Sequence, residues 1–292
     1  MKVLVTGAHG QVGKELSAIA NHHRFDVIAA SRTELDITQE KNVADYICKQ
    51  QPDIIINAAA YTAVDKAEDE QDLAFAINRD GAKNLALACK KQNIPLLHIS
   101  TDYVFDGSKP DAYSEKDQVS PLGVYGESKW QGEEAIRKNL NDYIILRVAW
   151  VFGAQGNNFV KTMLRLGKER DELNVVADQV GGPSPAQDIA QTLITLVEQY
   201  SNNKSLAWGT YHYCGSPKTS WYDFAIEIFS QALADGILKN KVKVNPITTA
   251  EYPTAAKRPA NSMLNCDKLT ATFAIEMPDW KIALKKVLTD LK

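Results

Sequence analysis

The sequence predicts an α/β protein built on a doubly wound parallel sheet, with a smaller C-terminal lobe packed against it. Through the first two-thirds of the chain, short apolar runs alternate with longer amphipathic stretches, which is the pattern of parallel strands joined by crossover helices. A glycine-rich turn follows the first apolar run, as at the start of a nucleotide-binding unit. With 292 residues, 45% of them hydrophobic, the chain can bury a substantial core.

Five strands are predicted from runs that are continuously apolar rather than alternating, so each should be buried on both faces of the sheet. These runs cover residues 2–6, 26–30, 53–58, 95–100 and 143–149. The amphipathic stretches between them predict helices at roughly 11–21, 39–50, 66–91 and 121–139.

The regular alternation of apolar and amphipathic segments weakens beyond residue 153. A helix near 157–169 and a short strand at 174–177 are followed by a cluster of Gly and Pro and then by another helix. No linker rich in Gly, Ser or charge separates the two parts. We therefore expect residues 1–152 to form mainly the first domain and residues 153–292 mainly the smaller lobe, with some segments of the lobe returning to the first sheet.

Composition narrows the functional class. The formal charge is −3, and no basic run could follow a phosphate backbone, so nucleic acid is not an expected partner. No apolar stretch approaches the roughly 20 residues of a membrane span, and the N-terminus lacks the basic start of a signal peptide. The four cysteines show no CxxC spacing, which fits buried, reduced thiols and a cytoplasmic location.

The segment GAHGQVG places Gly7, Gly10 and Gly13 directly after the first strand and before an amphipathic helix. A pyrophosphate approaches backbone amides closely only where no Cβ intervenes, and the helix N-terminus adds electrostatic attraction. In this strand–turn–helix context the spacing predicts a Rossmann-type dinucleotide site.

The residues after the second strand bear on the choice of dinucleotide. Ser31 and Arg32 stand where an acid would hold a free ribose 2′-hydroxyl, and a guanidinium instead suits a 2′-phosphate. We expect NADP(H) to be preferred, with NAD(H) as the alternative, because Asp36 could still serve the adenosine side.

Tyr125 and Lys129 are four positions apart in a predicted helix, so both project from one face. An ammonium beside a phenol favours the phenolate and would lower the tyrosine pKa from about 10, as a proton donor at a carbonyl requires. Thr101 follows the fourth strand, at the sheet edge where doubly wound folds bind ligands. Its hydroxyl could therefore bond the same substrate oxygen.

Several longer segments show a more specific resemblance. The chain resembles the dTDP-4-dehydrorhamnose reductases, a group within the extended short-chain dehydrogenase/reductase family. The segments that carry the resemblance span nearly the whole chain: NAAAYTAVDKAE (57–68), STDYVFDG (100–107), RVAWVFG (147–153), GNNFVKTM (156–163), DQVGGPS (178–184) and KRPANSML (257–264).

The resemblance implies roles for individual residues. Thr101, Tyr125 and Lys129 would form the catalytic set, with Lys129 also holding the nicotinamide ribose. The residues implied on the substrate side are Thr101, Asp102, Tyr103, Tyr125, Trp150, Asn157 and Arg258. Trp150 offers a flat face and Arg258 a fork for a diphosphate, although core packing and a surface ion pair are their respective alternatives.

The implied cofactor residues lie along the strand ends of the first domain. They are Gly7, His9, Gly10, Gln11, Val12, Gly13, Arg32, Asp36, Ile37, Ala58, Ala59, Ala60, Tyr61, Thr62, Tyr125 and Lys129. The remaining histidines, at positions 22, 23, 98 and 212, show no ligand spacing, so no catalytic metal is expected. Some relatives bind Mg²⁺ between subunits, and the resemblance allows this ion and a homodimer here.

The resemblance implies an NADP-dependent enzyme that reduces a nucleotide sugar, with residues 1–152 binding NADP and residues 153–292 the substrate. Related 4,6-dehydratases carry an Asp-Glu pair after the threonine, whereas this chain has Asp102-Tyr103. Epimerases or reductases of other nucleotide sugars also use Tyr and Lys. An alternative of another class is a catalytically silent NADP-binding subunit, similar to the β subunit of methionine adenosyltransferase.

Overall fold

The computed structural model describes residues 1–20 and 25–292. Its strands are β1 (Lys2–Thr6), β2 (Asp26–Ala30), β3 (Ile54–Asn57), β4 (Leu96–Thr101), β5 (Tyr143–Val148), β6 (Val151–Phe152), β7 (Glu172–Val176), β8 (Val180–Gly181), β9 (Ser184–Pro185), β10 (Gly209–Tyr213), β11 (Thr219–Ser220) and β12 (Lys243–Ile247). Its helices are α1 (Gln11–Ala20), α2 (Glu40–Gln50), α3 (Val64–Ala67), α4 (Gln71–Phe75), α5 (Gly81–Gln92), α6 (Val124–Asn139), α7 (Phe159–Glu169), α8 (Ala186–Asn203), α9 (Trp221–Ala234), α10 (Asp267–Phe273) and α11 (Trp280–Asp290).

The central sheet has six strands in the order β10-β5-β4-β3-β1-β2, and every neighbouring pair is parallel. This confirms the predicted fold class and all five predicted strands, with ends shifted by at most a residue or two. The sixth strand, β10, comes from beyond residue 153 and extends the sheet next to β5.

Alternate residues of β1 show why the strands are continuously apolar. Val3 and Val5 pack into one core cluster with residues of α1 and α8, whereas Leu4 packs into the opposite cluster with residues of α2 and α5. A third cluster joins α7, α9 and α11 to β7 in the C-terminal lobe. Both faces of the sheet are thus covered, as in other parallel sheets.

The single helix predicted over residues 66–91 is wrong. Here the chain forms α3, α4, a π-helical segment Ala76–Asp80 and then α5. The π segment holds Asn78, whose buried amide bonds the backbone of Tyr61 and the hydroxyl of Ser128. To make these tertiary hydrogen bonds, the helix departs from regular α-helical hydrogen bonding at this segment. Sequence periodicity does not reveal such a departure.

The other predicted helices differ only at their ends. The helix predicted at 121–139 begins at Val124, where Gly123 is extended and the Val124 amide donates to Glu68 Oε1 at 2.9 Å. The helix predicted near 157–169 begins at Phe159, because the Asn158 side chain caps it. The last residue of the helix predicted at 11–21 lies outside the described residues. The strand predicted at 174–177 corresponds to β7.

A buried ion pair fastens α6 to the sheet. Glu133 and Arg147 are both almost fully buried, and the Arg147 guanidinium donates to both carboxylate oxygens of Glu133, at 2.7 and 2.9 Å. The Ser100 hydroxyl adds a 2.5 Å bond to the same carboxylate. Arg147 holds the pKa of Glu133 down at about 2, although burial alone would raise it.

We predict that Glu133→Gln lowers the free energy of unfolding by about 3–5 kcal/mol, because it leaves the Arg147 charge buried without its partner. The matched control is Glu134→Gln, which removes an exposed ion pair to Arg137 and should cost less than about 1 kcal/mol. The folded-state pKa of Glu133 is depressed, so its contribution is complete above pH 4.5 and is lost as pH falls toward about 2. Urea unfolding of both variants tests this; equal losses would contradict it.

Candidate active site

The glycine turn lies against the loop that follows β3. Gly7 has φ +70°, and a Cβ there would come within 2.5 Å of the Ala59 amide nitrogen. A Cβ on Gly13 would come within 2.2 Å of the Gly7 carbonyl oxygen. A Cβ at either position would overlap backbone atoms, so the turn closes in this form only with glycine at both.

Two cavities meet at this turn. The first, which we call the reaction cavity, has a volume of about 660 Å³. Of the predicted site residues, it is lined by Gly10, Gln11, Val12, Ala58, Ala60, Thr62, Thr101, Asp102, Tyr103, Tyr125, Lys129, Trp150 and Asn157. The structure thus brings the predicted catalytic and most of the predicted substrate residues to one place.

The second, which we call the turn cavity, has a volume of about 630 Å³. Of the predicted site residues, it is lined by Gly7, His9, Gly10, Arg32, Asp36, Ile37, Ala58, Ala59, Ala60, Tyr61 and Thr62. Gly13 lies under the turn rather than in either cavity. The two cavities share Gly10, Ala58, Ala60 and Thr62 in their linings, so they adjoin at the turn.

Arg32 is exposed at the edge of the turn cavity. Its side chain keeps 69% of its accessible surface, and its Nε lies 3.5 Å from Asp36 Oδ2. The neighbouring Ser31 hydroxyl is engaged by the Glu34 carboxylate, which lies next to the predicted ribose site and was not among the predicted residues. The Arg32 guanidinium is therefore available to an anion at the open side of this cavity.

Tyr125 lies in the first turn of α6 beside Thr101 at the end of β4. Burial raises the pKa of Tyr125 to about 12, the Asp102 charge adds to this, and a hydrogen bond with Thr101 acts in the opposite direction. The expectation that Lys129 lowers this pKa is wrong for this structure, because desolvation of the phenolate dominates. Tyr125 is a protonated phenol at neutral pH and can act as a proton donor.

Lys129 points to the strand next to its helix. Its side chain is 2% exposed, and its Nζ donates to the Ile99 carbonyl at 2.6 Å and lies 3.2 Å from His98 Nε2. Burial lowers the pKa of Lys129 to about 8, while Glu133 acts to raise it. Lys129 therefore changes charge close to neutral pH, unlike an exposed lysine.

Asp102 is a second buried acid of the reaction cavity. It is 2% exposed, and its Oδ1 accepts a 3.0 Å hydrogen bond from the Thr101 hydroxyl. Burial raises the pKa of Asp102 to about 7, against the effect of bonds from Thr101 and Ser262.

Trp150 is held by a tryptophan that sequence reasoning missed. The indole rings of Trp150 and Trp221 stack with centroids 3.4 Å apart and planes 6° apart, and Phe159 packs 4.7 Å from Trp221. Trp221 is the first residue of α9 and lies 71 positions after Trp150 in sequence. The sequence does show an aromatic residue directly after a serine that can cap a helix. Nothing in the surrounding sequence, however, indicates that this residue belongs to the site.

Arg258 lines a third cavity of about 400 Å³, together with Tyr103 and Trp221. Its guanidinium donates to both oxygens of Asp65, at 2.7 and 3.2 Å, so Arg258 forms an ion pair and also borders this cavity. Asn157 lines the reaction cavity, while the neighbouring Asn158 bonds Gln11 Oε1 at 2.9 Å. The Arg258–Asp65 ion pair and the Asn158–Gln11 hydrogen bond tie residues beyond 153 to the first half of the chain.

The described residues show neither a metal-binding cluster nor a membrane-spanning helix. Within residues 1–20 and 25–292, no three His, Cys, Asp or Glu side chains are grouped so as to hold a metal ion; His22 and His23 lie outside these ranges. Among the described helices, none combines the length and apolarity needed to cross a bilayer.

Comparison with known proteins identifies the family. A family model described as RmlD substrate binding domain matches residues 1–292. The dTDP-4-dehydrorhamnose reductase of Aggregatibacter actinomycetemcomitans is 49% identical over 98% of each chain. The chain belongs to the dTDP-4-dehydrorhamnose reductase family. This confirms the resemblance read from the sequence and, with it, the expected enzyme class, an oxidoreductase.

Solved structures of the family have the same fold as this chain. The dTDP-4-dehydrorhamnose reductase of Bacillus anthracis, solved in complex with NADP, superposes with a TM-score of 0.92 at 40% identity, covering 99% of each chain. The corresponding reductase of Clostridium acetobutylicum gives a TM-score of 0.92 at 42% identity, again covering 99% of each chain.

The glycine turn generates a paired prediction. Gly13→Ala should lower the free energy of unfolding by about 1–3 kcal/mol or more, because its Cβ would overlap the Gly7 carbonyl. Gly10→Ala is the matched control. Its Cβ would meet only the Gly7 carbonyl oxygen, at 3.2 Å, so this substitution should lower the free energy of unfolding much less. Thermal unfolding of the two variants decides; a control as destabilised as Gly13→Ala would show that the turn is not closed as described.

Proposed function

We propose that the protein reduces the C4 keto group of dTDP-4-dehydro-L-rhamnose to give dTDP-L-rhamnose, with NADPH as reductant, the final step of dTDP-rhamnose biosynthesis. The observation that carries the proposal is the meeting of Thr101, Tyr125 and Lys129 at one cavity that continues into the glycine turn. Family membership specifies the sugar nucleotide.

Tyr125 is the proposed acid. Its pKa of about 12 keeps it protonated at working pH, so it can give a proton to the sugar O4 as charge develops there. Thr101 lies beside it at the end of β4. Its hydroxyl donates to Asp102 Oδ1 in this structure and would turn to donate to the same substrate oxygen. Positioned donors of this kind stabilise the developing oxyanion without reorganising.

The glycine cradle fits a dinucleotide. The backbone between Gly7 and Gly13 precedes the N-terminus of α1, whose first amides and dipole favour a pyrophosphate. When bound there, NADPH supplies the hydride that adds to C4. Lys129 and Tyr125 line the reaction cavity where the nicotinamide ribose would lie, and Arg32 borders the adenosine side.

The aromatic wall and the third cavity are the proposed substrate side. Trp150, backed by Trp221, presents a flat surface to the deoxysugar. The third cavity, with Tyr103 at its boundary with the reaction cavity, would take the nucleotide, and Arg258 would contact its diphosphate. Asp102 and Asn157 complete the contacts to the sugar.

A cytoplasmic location belongs to the same proposal. All four cysteines are free thiols, and Cys89, Cys214 and Cys266 are buried, as is usual in a reducing compartment.

Tyr125→Phe should lower turnover about 10²–10⁴-fold, because the general acid is lost while the ring remains. The assay follows NADPH consumption with dTDP-4-dehydro-L-rhamnose made in situ from dTDP-glucose by the two preceding enzymes. Tyr143→Phe is the control. Tyr143 is the first residue of β5 and lies at the amino-terminal end of the parallel strands, opposite to Thr101, so this substitution should leave turnover unchanged. Near-normal turnover in Tyr125→Phe would exclude the phenol as the acid. NADPH binding without turnover in the unsubstituted protein would favour the silent-subunit alternative.

Arg32→Ala should reduce the preference for NADPH over NADH by about tenfold or more, because a charge-assisted bond to the 2′-phosphate is removed. Arg165→Ala is the matched control: Arg165 is similarly exposed, with 61% of its side-chain surface accessible, but it pairs with Glu169 on α7. Dissociation constants measured by fluorescence titration give the ratio. An unchanged ratio in Arg32→Ala would remove the argument for a 2′-phosphate contact.

A further inference from the structure

Behind the reaction cavity, a row of buried polar side chains crosses the sheet from β1 to α6. Thr6 is paired in register with Asn57 on β3, and Asn57 with His98 on β4, while Lys129 reaches the row from α6. All four residues are 2% exposed or less. Buried polar groups cost free energy unless they are hydrogen-bonded, so the direction of each bond in the row is constrained.

The orientation of the Asn57 amide is fixed by a backbone group. The Ala59 amide, which can only donate, lies 3.1 Å from Asn57 Oδ1, so this atom is the carbonyl oxygen. The Thr6 hydroxyl donates to the same oxygen at 2.6 Å. Asn57 therefore presents its NH₂ group, a donor, to His98.

This orientation selects one tautomer of His98. Asn57 Nδ2 lies 2.8 Å from His98 Nδ1, so Nδ1 accepts and carries no proton. A neutral imidazole with a bare Nδ1 carries its proton on Nε2. In the imidazolium form, the Nδ1–H of His98 would face the NH₂ group of Asn57, which places two donors against each other. Burial and the Lys129 charge also hold the pKa of His98 well below its usual value.

The Nε2–H of His98 faces Lys129. His98 Nε2 and Lys129 Nζ are 3.2 Å apart, and an N–H can bond this nitrogen only through the lone pair of a neutral amine. We propose that His98 is a positioning residue which, through its Nε2–H, holds Lys129 and favours its amine over its ammonium form.

The other titratable groups around Lys129 do not replace this contact. On α6, Tyr125 is a neutral phenol and Glu133 favours the ammonium. The Glu133 carboxylate, however, is bonded by Arg147 from β5 and by Arg137 from α6, which offset its charge. The Ile99 carbonyl accepts from Nζ in either form. Among these neighbours, the His98 N–H is the group that distinguishes the two forms in favour of the amine.

The catalytic meaning of this contact rests on the function proposed above. When Tyr125 gives its proton to the sugar oxygen, the phenolate must be protonated again. Lys129 and Tyr125 line the same reaction cavity. A lysine whose amine form is stabilised gives up its proton more readily, so the Lys129 ammonium would supply that proton within the cavity and become the amine that His98 bonds. The amine then regains a proton from solvent, which balances the cycle.

The tautomer can be tested on the unsubstituted, ligand-free protein. In a two-bond ¹H–¹⁵N correlation spectrum of ¹⁵N-histidine-labelled protein, His98 should show a protonated Nε2 and an unprotonated Nδ1. It should keep this form throughout the range in which exposed histidines titrate. A protonated Nδ1, or titration of His98 with the exposed histidines, would overturn the proposal.

The effect on Lys129 is tested by titrating protein labelled with ¹³Cε-lysine, with the Lys129 signal assigned by its absence from Lys129→Met. In the unsubstituted protein Lys129 should titrate near its lowered pKa of about 8. In His98→Asn, which keeps an acceptor for Asn57 but removes the Nε2–H, the Lys129 pKa should rise by about one unit or more. An unchanged pKa in His98→Asn would overturn the proposal.

His212→Asn is the matched control. His212 is as buried as His98, but its Nδ1 faces the Tyr113 carbonyl and its Nε2 faces Arg147; the Lys129 pKa should stay unchanged in this variant. An equal rise in both variants would show that the shift reflects general loosening, against the proposal. Should His98→Asn not fold, the tautomer measurement still decides. None of these readouts requires turnover, so they can fail while the reductase assay succeeds, and the reverse.

Discussion

The close packing of α6 against the sheet is the constraint on which the proposed site depends. The Glu133–Arg147 ion pair fixes the middle of the helix on β5, and the Lys129 bond to Ile99 fixes its first turns on β4. Gly126 and Gly132 let the helix approach its other neighbours closely, since a Cβ on Gly126 would come within 2.2 Å of the Tyr103 carbonyl oxygen and one on Gly132 within 2.1 Å of the Asn78 carbonyl oxygen in the π-helical segment. Tyr125 is carried on the same rigid unit and so meets Thr101 at the strand end.

Residues beyond 153 complete the reaction cavity, and specific contacts tie them to the first half of the chain. The Arg258–Asp65 ion pair and the Asn158–Gln11 bond join the two parts. Gln11 belongs to the glycine turn, and Asn158 also caps α7. Asn158 therefore links the glycine turn to α7, and Trp150 and Trp221 line the same cavity as Thr101 at the end of β4.

Much of the fold could be predicted because its signals are local. The continuously apolar strands, the glycine turn and the four-residue spacing of Tyr125 and Lys129 are all visible in short segments. The features that could not be predicted depend on residues distant in sequence. The π-helical segment places Asn78 between Tyr61 and Ser128, which are distant from it in sequence. Trp221 likewise contacts Trp150 only because the chain folds back on itself. The pKa of Tyr125 was predicted in the wrong direction because desolvation is not visible in a motif.

In the proposed reaction, hydride reaches C4 of the sugar while the protein supplies the proton. The most direct measurement uses NADPH carrying deuterium at the transferable position of the nicotinamide, with dTDP-4-dehydro-L-rhamnose as substrate, followed by NMR and mass spectrometry of the product. We expect dTDP-L-rhamnose with one deuterium, located at C4 of the sugar. A product without deuterium, or with deuterium at another carbon, would contradict it.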